Sequence, residues 1–152
     1  MLKKILLPIL FLIIVNNCDY SPVYQKNDNT KLNINILEMD GDSEINNIIA
    51  KEIKQIASDT SSKKINVKIR TNFVKTILAK NTRGTPTDFE LKAMSNFNVT
   101  NKNKEQNFSI EEKFKYKKMS NSYEQNNYEN TLKKNIASSI TQKLILRLTI
   151  IE

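Results

Sequence analysis

Apolar and polar residues alternate along four stretches of the chain and step at helical spacing along two others. Leu32, Ile34 and Ile36 alternate with Lys31, Asn33 and Asn35, which predicts a first strand with one buried face. Met39 to Ser43 breaks it; Ser43 is the expected N-cap, with Glu44 in the positive first turn. Ile45, Ile48, Ile49, Ile53 and Ile56 recur at helical spacing through Ala57, and Asp59 to Ser62 ends that helix. Ile65, Val67, Ile69, Thr71 and Phe73 share one face of a second strand. The apolar parity then switches to Val74, Thr76 and Leu78, which predicts a bulge near Val74.

Asn81 to Pro86 carries turn signals. The third strand has the clearest pattern: Phe89, Leu91, Ala93, Ser95, Phe97 and Val99 inward, Asp88, Glu90, Lys92, Asn96 and Asn98 outward, with Met94 the exception. Thr100 to Asn107 reads as a polar hairpin tip. The fourth strand places Phe108, Ile110, Phe114 and Tyr116 inward, with Glu112 on the same parity near a strand end or beside a cation. Met119 to Asn127 reads as a polar loop, and Asn126 with Glu129 as a capping box. Leu132, Ile136, Ile140, Leu144 and Leu148, with Ala137 beside them, predict a C-terminal helix of about five turns. The order β-α-β-β-β-α predicts an α+β two-layer sandwich: a four-stranded, mainly antiparallel sheet covered by two helices.

The N-terminus changes this picture. Met1-Leu2-Lys3-Lys4 is basic, and Ile5 to Val15 is an apolar run of eleven residues broken only by Pro8. A spanning helix needs about 20 apolar residues, so this segment reads as a secretory signal. The only cysteine, Cys18, follows it. That placement resembles a bacterial lipoprotein, in which the thiol takes a diacylglyceryl group and the new amino group an N-acyl chain. A lipobox usually has Leu three residues before the cysteine and Gly or Ala one before; here Val15 and Asn17 hold those places. The other readings are an ordinary signal with an incidental Cys18, and an uncleaved short anchor. The expected organisation is a signal peptide at 1–17, a lipidated tether at 18–30 and one domain at 31–152.

Composition narrows the chemistry. The chain has no His and no Trp, two Gly, one Cys and a formal charge of +8. A His/Cys zinc site, a His-based triad and a disulfide within the chain are excluded. The adjacent pair Glu111-Glu112 points to opposite faces of its strand and cannot work as one acid/base pair. The reading is therefore not an enzyme, with no metal and no cofactor beyond the covalent lipid on Cys18. The positive charge invites an anionic partner.

Three stretches carry a resemblance. Cys18-Asp19-Tyr20-Ser21-Pro22-Val23-Tyr24 is similar to the Cys-Gly-aromatic-x-Pro-Leu-Tyr start of the LptE family of lipopolysaccharide (LPS)-assembly lipoproteins. Arg83-Gly84-Thr85 leading into Phe89-Glu90-Leu91 resembles the turn before that family's third strand. Ser122 to Asn127 resembles its aromatic-containing loop before the last helix. The resemblance implies a lipoprotein held in the inner leaflet of the outer membrane on its periplasmic face. Its partners would be an LptD-type LPS-assembly β-barrel, which it plugs and helps to fold, and LPS itself. Arg83 matches the family's basic residue at that turn. Lys80, Lys117 and Lys118 are further LPS-binding candidates. Asp19 stands where the family has Gly, and in enteric bacteria Asp there retains a lipoprotein in the inner membrane.

Two other functions remain. Helix, three strands and helix is also the order of a double-stranded RNA-binding domain, with Lys133-Lys134 as the basic pair. The export signal and the extra first strand argue against nucleic acid. A generic periplasmic lipoprotein with a structural role is the third reading.

Overall fold

The computed structural model describes residues 32–57, 64–102 and 104–150. The signal, the tether and Cys18 lie outside them. Six elements follow in order: β1 (Asn33–Gly41), α1 (Ser43–Ile56), β2 (Lys64–Lys80), β3 (Pro86–Asn101), β4 (Lys104–Lys117) and α2 (Ser122–Ile150). The sheet order is β1-β2-β3-β4. β1 runs parallel to β2, and the other pairs are antiparallel. A parallel pair needs a crossover, and α1 supplies it. The α+β sandwich is as the periodicity predicts.

The core lies between one face of the sheet and the two helices. α1 contributes Ile45, Ile49 and Ile53; α2 contributes Leu132, Ile136, Ile140, Leu144 and Leu148. Ile65, Val67 and Ile69 of β2 meet them, with Leu91, Phe97 and Val99 of β3. Burying one such aliphatic side chain contributes roughly 1.5–3 kcal/mol. A hydroxyl pair, Thr71 with Ser95 at 2.7 Å, sits buried in the same layer. It satisfies two polar groups that would otherwise oppose folding.

Several boundaries differ from the sequence expectation, each for a local reason. The N-cap of α1 is Asp42, not Ser43: its carboxylate accepts from the Ile45 amide at 3.0 Å. The β3–β4 tip is tight rather than long, with Asn101 opposite Lys104 and Lys102 in the left-handed region at φ 48°. The segment read as a loop before the last helix is already helical from Ser122. Asn121, not Asn126, caps it by accepting from the Tyr123 amide at 2.8 Å. α2 is 29 residues long, about eight turns rather than five. Glu129 caps nothing because it is engaged elsewhere, as described below.

The expected bulge near Val74 is absent. β2 and β3 pair regularly from Ile65 opposite Asn101 to Ile77 opposite Phe89, and the register shifts only between Ile77 and Lys80. Val74, Ile77 and Leu78 are exposed on both parities. Beyond Phe73 no buried core remains on β2 to enforce alternation, so the apolar parity changes without any change in backbone register.

Candidate functional site

The cations singled out by the sequence collect at one end of the sheet. β2 ends at Lys80, and the turn to β3 is folded around Asn81. The Asn81 side-chain oxygen accepts from the Arg83 amide at 3.0 Å and the Thr85 amide at 2.9 Å. Its backbone N–H donates to the Thr85 carbonyl, and its carbonyl accepts from Gly84, both at 2.9 Å. Gly84 takes φ +79°, which a residue without a Cβ adopts freely. The turn is thus held by four hydrogen bonds and presents Arg83 to solvent.

β4 ends beside it. The Lys118 amide donates to the Thr87 carbonyl at 2.7 Å, and Lys117 stands opposite Asp88. Asn81, Thr85, Asp88, Lys117 and Lys118 line one open depression of about 670 Å³. The structure therefore brings Lys117 and Lys118 to the Asn81 turn, with Lys80 and Arg83 flanking it. Among the described residues, none of these four cations forms an ion pair. The exposed Ile77 and Leu78 lie next to them along β2. Sequence parity assigned Leu78 to a buried face, so this apolar flank was missed. Its only sequence signal is the parity switch itself.

Exposed cations on a firmly held turn suit a phosphate or carboxylate ligand, and Arg can grip one bidentately. Catalytic machinery is a poor match for the carboxylates. Glu111 pairs with Lys92 at 2.8 Å on the bare face of the sheet. That hydrogen bond holds its carboxyl below the usual range. Glu112 points to the helix side, where it meets Lys143 and accepts from Ser139 at 2.9 Å. The pair is divided between faces, and the cation beside Glu112 is Lys143; Glu112 lies mid-strand, not near an end.

The last helix holds two further clusters. Glu129 is a hub for Lys75 at 2.6 Å, the Tyr116 hydroxyl and the Gln125 amide at 2.8 Å. Burial raises the Tyr116 phenol above its ordinary range, and the Glu129 carboxylate raises it further. Lys133 lies 2.9 Å from both Asp42 and Glu44, and 4.7 Å from the centre of the Phe73 ring. It is spent on the fold, so the basic pair required for an RNA-binding reading loses one member. Among the described residues, no helix is long and apolar enough to cross a membrane.

No protein-family model matches the chain. No curated protein matches it. Solved structures do. Rare lipoprotein B from Shewanella oneidensis is similar with a TM-score of 0.53 and 16% identity, covering 72% of this chain and 93% of that one. A lipoprotein from Caulobacter crescentus gives 0.57 and 12%, covering 77% and 88%. Lipoprotein B from Nitrosomonas europaea gives 0.54 and 15%, covering 79% and 85%. The chain has their fold. At these identities the likeness is one of architecture.

Proposed function

We propose that this chain is an exported LptE-like lipoprotein, anchored through acylated Cys18 at the periplasmic face of the outer membrane. There it plugs an LptD-type barrel, assists its folding and helps LPS to the surface. One observation carries the reading. A chain whose sole cysteine directly follows a signal-like segment has the fold of solved lipoproteins, over 85–93% of their length in the two lipoprotein B structures. Neither half would suffice alone.

The physics is compatible. A barrel lumen is polar, and the uncovered face of this sheet is mainly polar, carrying Asn66, Lys68, Arg70, Asn96 and Asn98 beside the apolar Val74 and Met94. Acyl chains on Cys18 would hold the domain at the membrane at about 0.8 kcal/mol per buried CH₂. Arg83, Lys80, Lys117 and Lys118 would then meet lipid A phosphates.

The test is a mild-detergent pull-down from envelope membranes with mass spectrometry of bait and partners. A triacylated Cys18 with a co-purifying large barrel supports the proposal. An unlipidated protein without a barrel removes it and leaves an exported α+β domain. Fractionation of inner and outer membranes decides whether Asp19 redirects sorting.

A further inference from the structure

β4 closes one side of the sheet, and among the described residues no strand pairs with its outer edge. An open edge offers a row of N–H and C=O groups to another strand. This edge is 14 residues long. Phe114 on β4 is partly exposed, as is Tyr128, which packs edge-on against Tyr116. Further along α2, Leu146 is 62% exposed.

The residue pattern of β4 selects its occupant. We propose that this edge is an interface between two copies of the chain, with β4 pairing antiparallel to β4 of the second copy about a two-fold axis at Glu112. Such an interface is self-complementary: each residue faces the one equally far beyond the centre. Centred on Glu112, Glu111 faces Lys113 of the second copy, and Lys113 faces its Glu111. On the helix side Ile110 meets Phe114, and Phe108 meets Tyr116. Lys115 and Lys117 face Ser109 and Asn107, which are neutral. Other registers match less well: centring on Ser109 pairs Lys113 with Glu105 but sets Lys104 against Phe114 and Gln106 against Glu112. Centring on Glu111 or Lys113 sets like charges against each other at an exposed centre, and centring on Ile110 sets Phe108 against Glu112.

Two features within one chain favour this register. Lys113 stands directly opposite Lys92 on β3, while Lys92 is committed to Glu111. Lys113 therefore has a like-charged neighbour and, among the described residues, no ion pair; Glu111 of its own chain feels its charge but is bound to Lys92. The Glu111 of a second copy supplies a partner. The two Glu112 carboxylates would meet at the axis, but each already holds Lys143 and the Ser139 hydroxyl of its own chain. The helices agree as well. α2 returns along β4, with Tyr128 over Tyr116 and Arg147 over the Phe108 ring at 4.9 Å. Pairing Tyr116 with Phe108 brings Tyr128 to the Arg147 end of the other α2, where a cation can meet the aromatic face. Lysines on an edge ordinarily guard it; in this register each finds an acidic or neutral partner.

The interface is independent of the barrel reading and is tested on the full-length protein in mild detergent. Sedimentation velocity across a concentration series reads the self-association. The native chain is expected to dimerise. Lys113→Glu should raise the dimer dissociation constant about tenfold, because two attractive pairs become repulsive. It leaves the fold intact, since the new carboxylate stands opposite Lys92. The double variant Glu111→Lys/Lys113→Glu should restore the dimer. Co-micellisation through the anchor would be insensitive to both variants. A native chain that stays monomeric overturns the proposal. So does a dimer indifferent to Lys113→Glu, a double variant that fails to re-associate, or an edge taken by a strand of another protein.

Discussion

The Asp42 carboxylate joins the two helices through Lys133. One oxygen caps α1 at the Ile45 amide, and the other lies 2.9 Å from the Lys133 ammonium on α2. Burial pulls the Lys133 pKa down, but Asp42 and Glu44 together hold it above the ordinary 10.5. Lys133→Ala strands both carboxylates and exposes Phe73, so it should cost about 2 kcal/mol. A raised folded-state pKa gives stability that is complete below the unfolded value and lost as pH rises through the folded one. Urea unfolding should show a constant deficit at neutral pH that narrows only above about pH 10.5. A deficit unchanged into strong alkali would show that Lys133 acts through packing rather than charge.

The opposite sign holds at Glu129. Burial raises its pKa, but hydrogen bonds from Lys75, Tyr116 and Gln125 outweigh that and hold it below 4.5. A depressed value contributes stability above the unfolded pKa that is lost as pH falls through the folded one. Glu129→Gln should cost about 2 kcal/mol at neutral pH. Its stability should also fall less steeply than the native chain's below about pH 4.5. Parallel acid-unfolding curves for the two proteins would contradict the hub.

The two described glycines both have positive φ but should respond differently to alanine. A Cβ on Gly41 would sit 1.9 Å from the Thr71 carbonyl oxygen, which the neighbouring Asp42 amide already uses. The end of β1 and its β2 partner would have to move apart there. A Cβ on Gly84 meets nothing within 4 Å. Gly84→Ala should cost about 1 kcal/mol for backbone strain alone, and Gly41→Ala at least about 3 kcal/mol, as when buried packing is disrupted. Thermal melts of the two variants check the ranking.

These clusters mark the limit of what the sequence discloses. The strand and helix faces follow from local periodicity because each obeys one buried core: every residue of the stripe from Leu132 to Leu148 is buried as predicted. Caps were misplaced by one to five residues because Asp42, Ser43, Asn121 and Asn126 all have capping chemistry. Only packing chooses among them. Glu129 had the right spacing for a capping box, yet its partners, Lys75 and Tyr116, come from two different strands and leave no trace in local spacing. Val74 and Leu78 misled for the converse reason, since an uncovered ribbon has no core for a pattern to report. Arg83, Lys80, Lys117 and Lys118 came from family resemblance. Their gathering at one end follows from antiparallel pairing of β2, β3 and β4.

That gathering sets the last prediction. Arg83 takes part in the fold only through its backbone amide, which the Asn81 side chain holds. Arg83→Ala should leave the melting curve within about 0.5 kcal/mol of native, as for an exposed surface site. Under the proposed function it should weaken binding of LPS to the purified full-length protein, by about tenfold for the loss of one charge-assisted contact. Adding Lys117→Ala and Lys118→Ala should weaken it further and flatten its dependence on salt, because fewer cations are left to be screened. Asn81→Ala tests the support rather than the charge: it frees the turn without removing a cation, so affinity should fall while the salt dependence persists. If Asn81→Ala binds like the native chain, the geometry of the turn is irrelevant and the site is a diffuse field of lysines. If Arg83→Ala does so too, this end of the sheet is not where LPS binds.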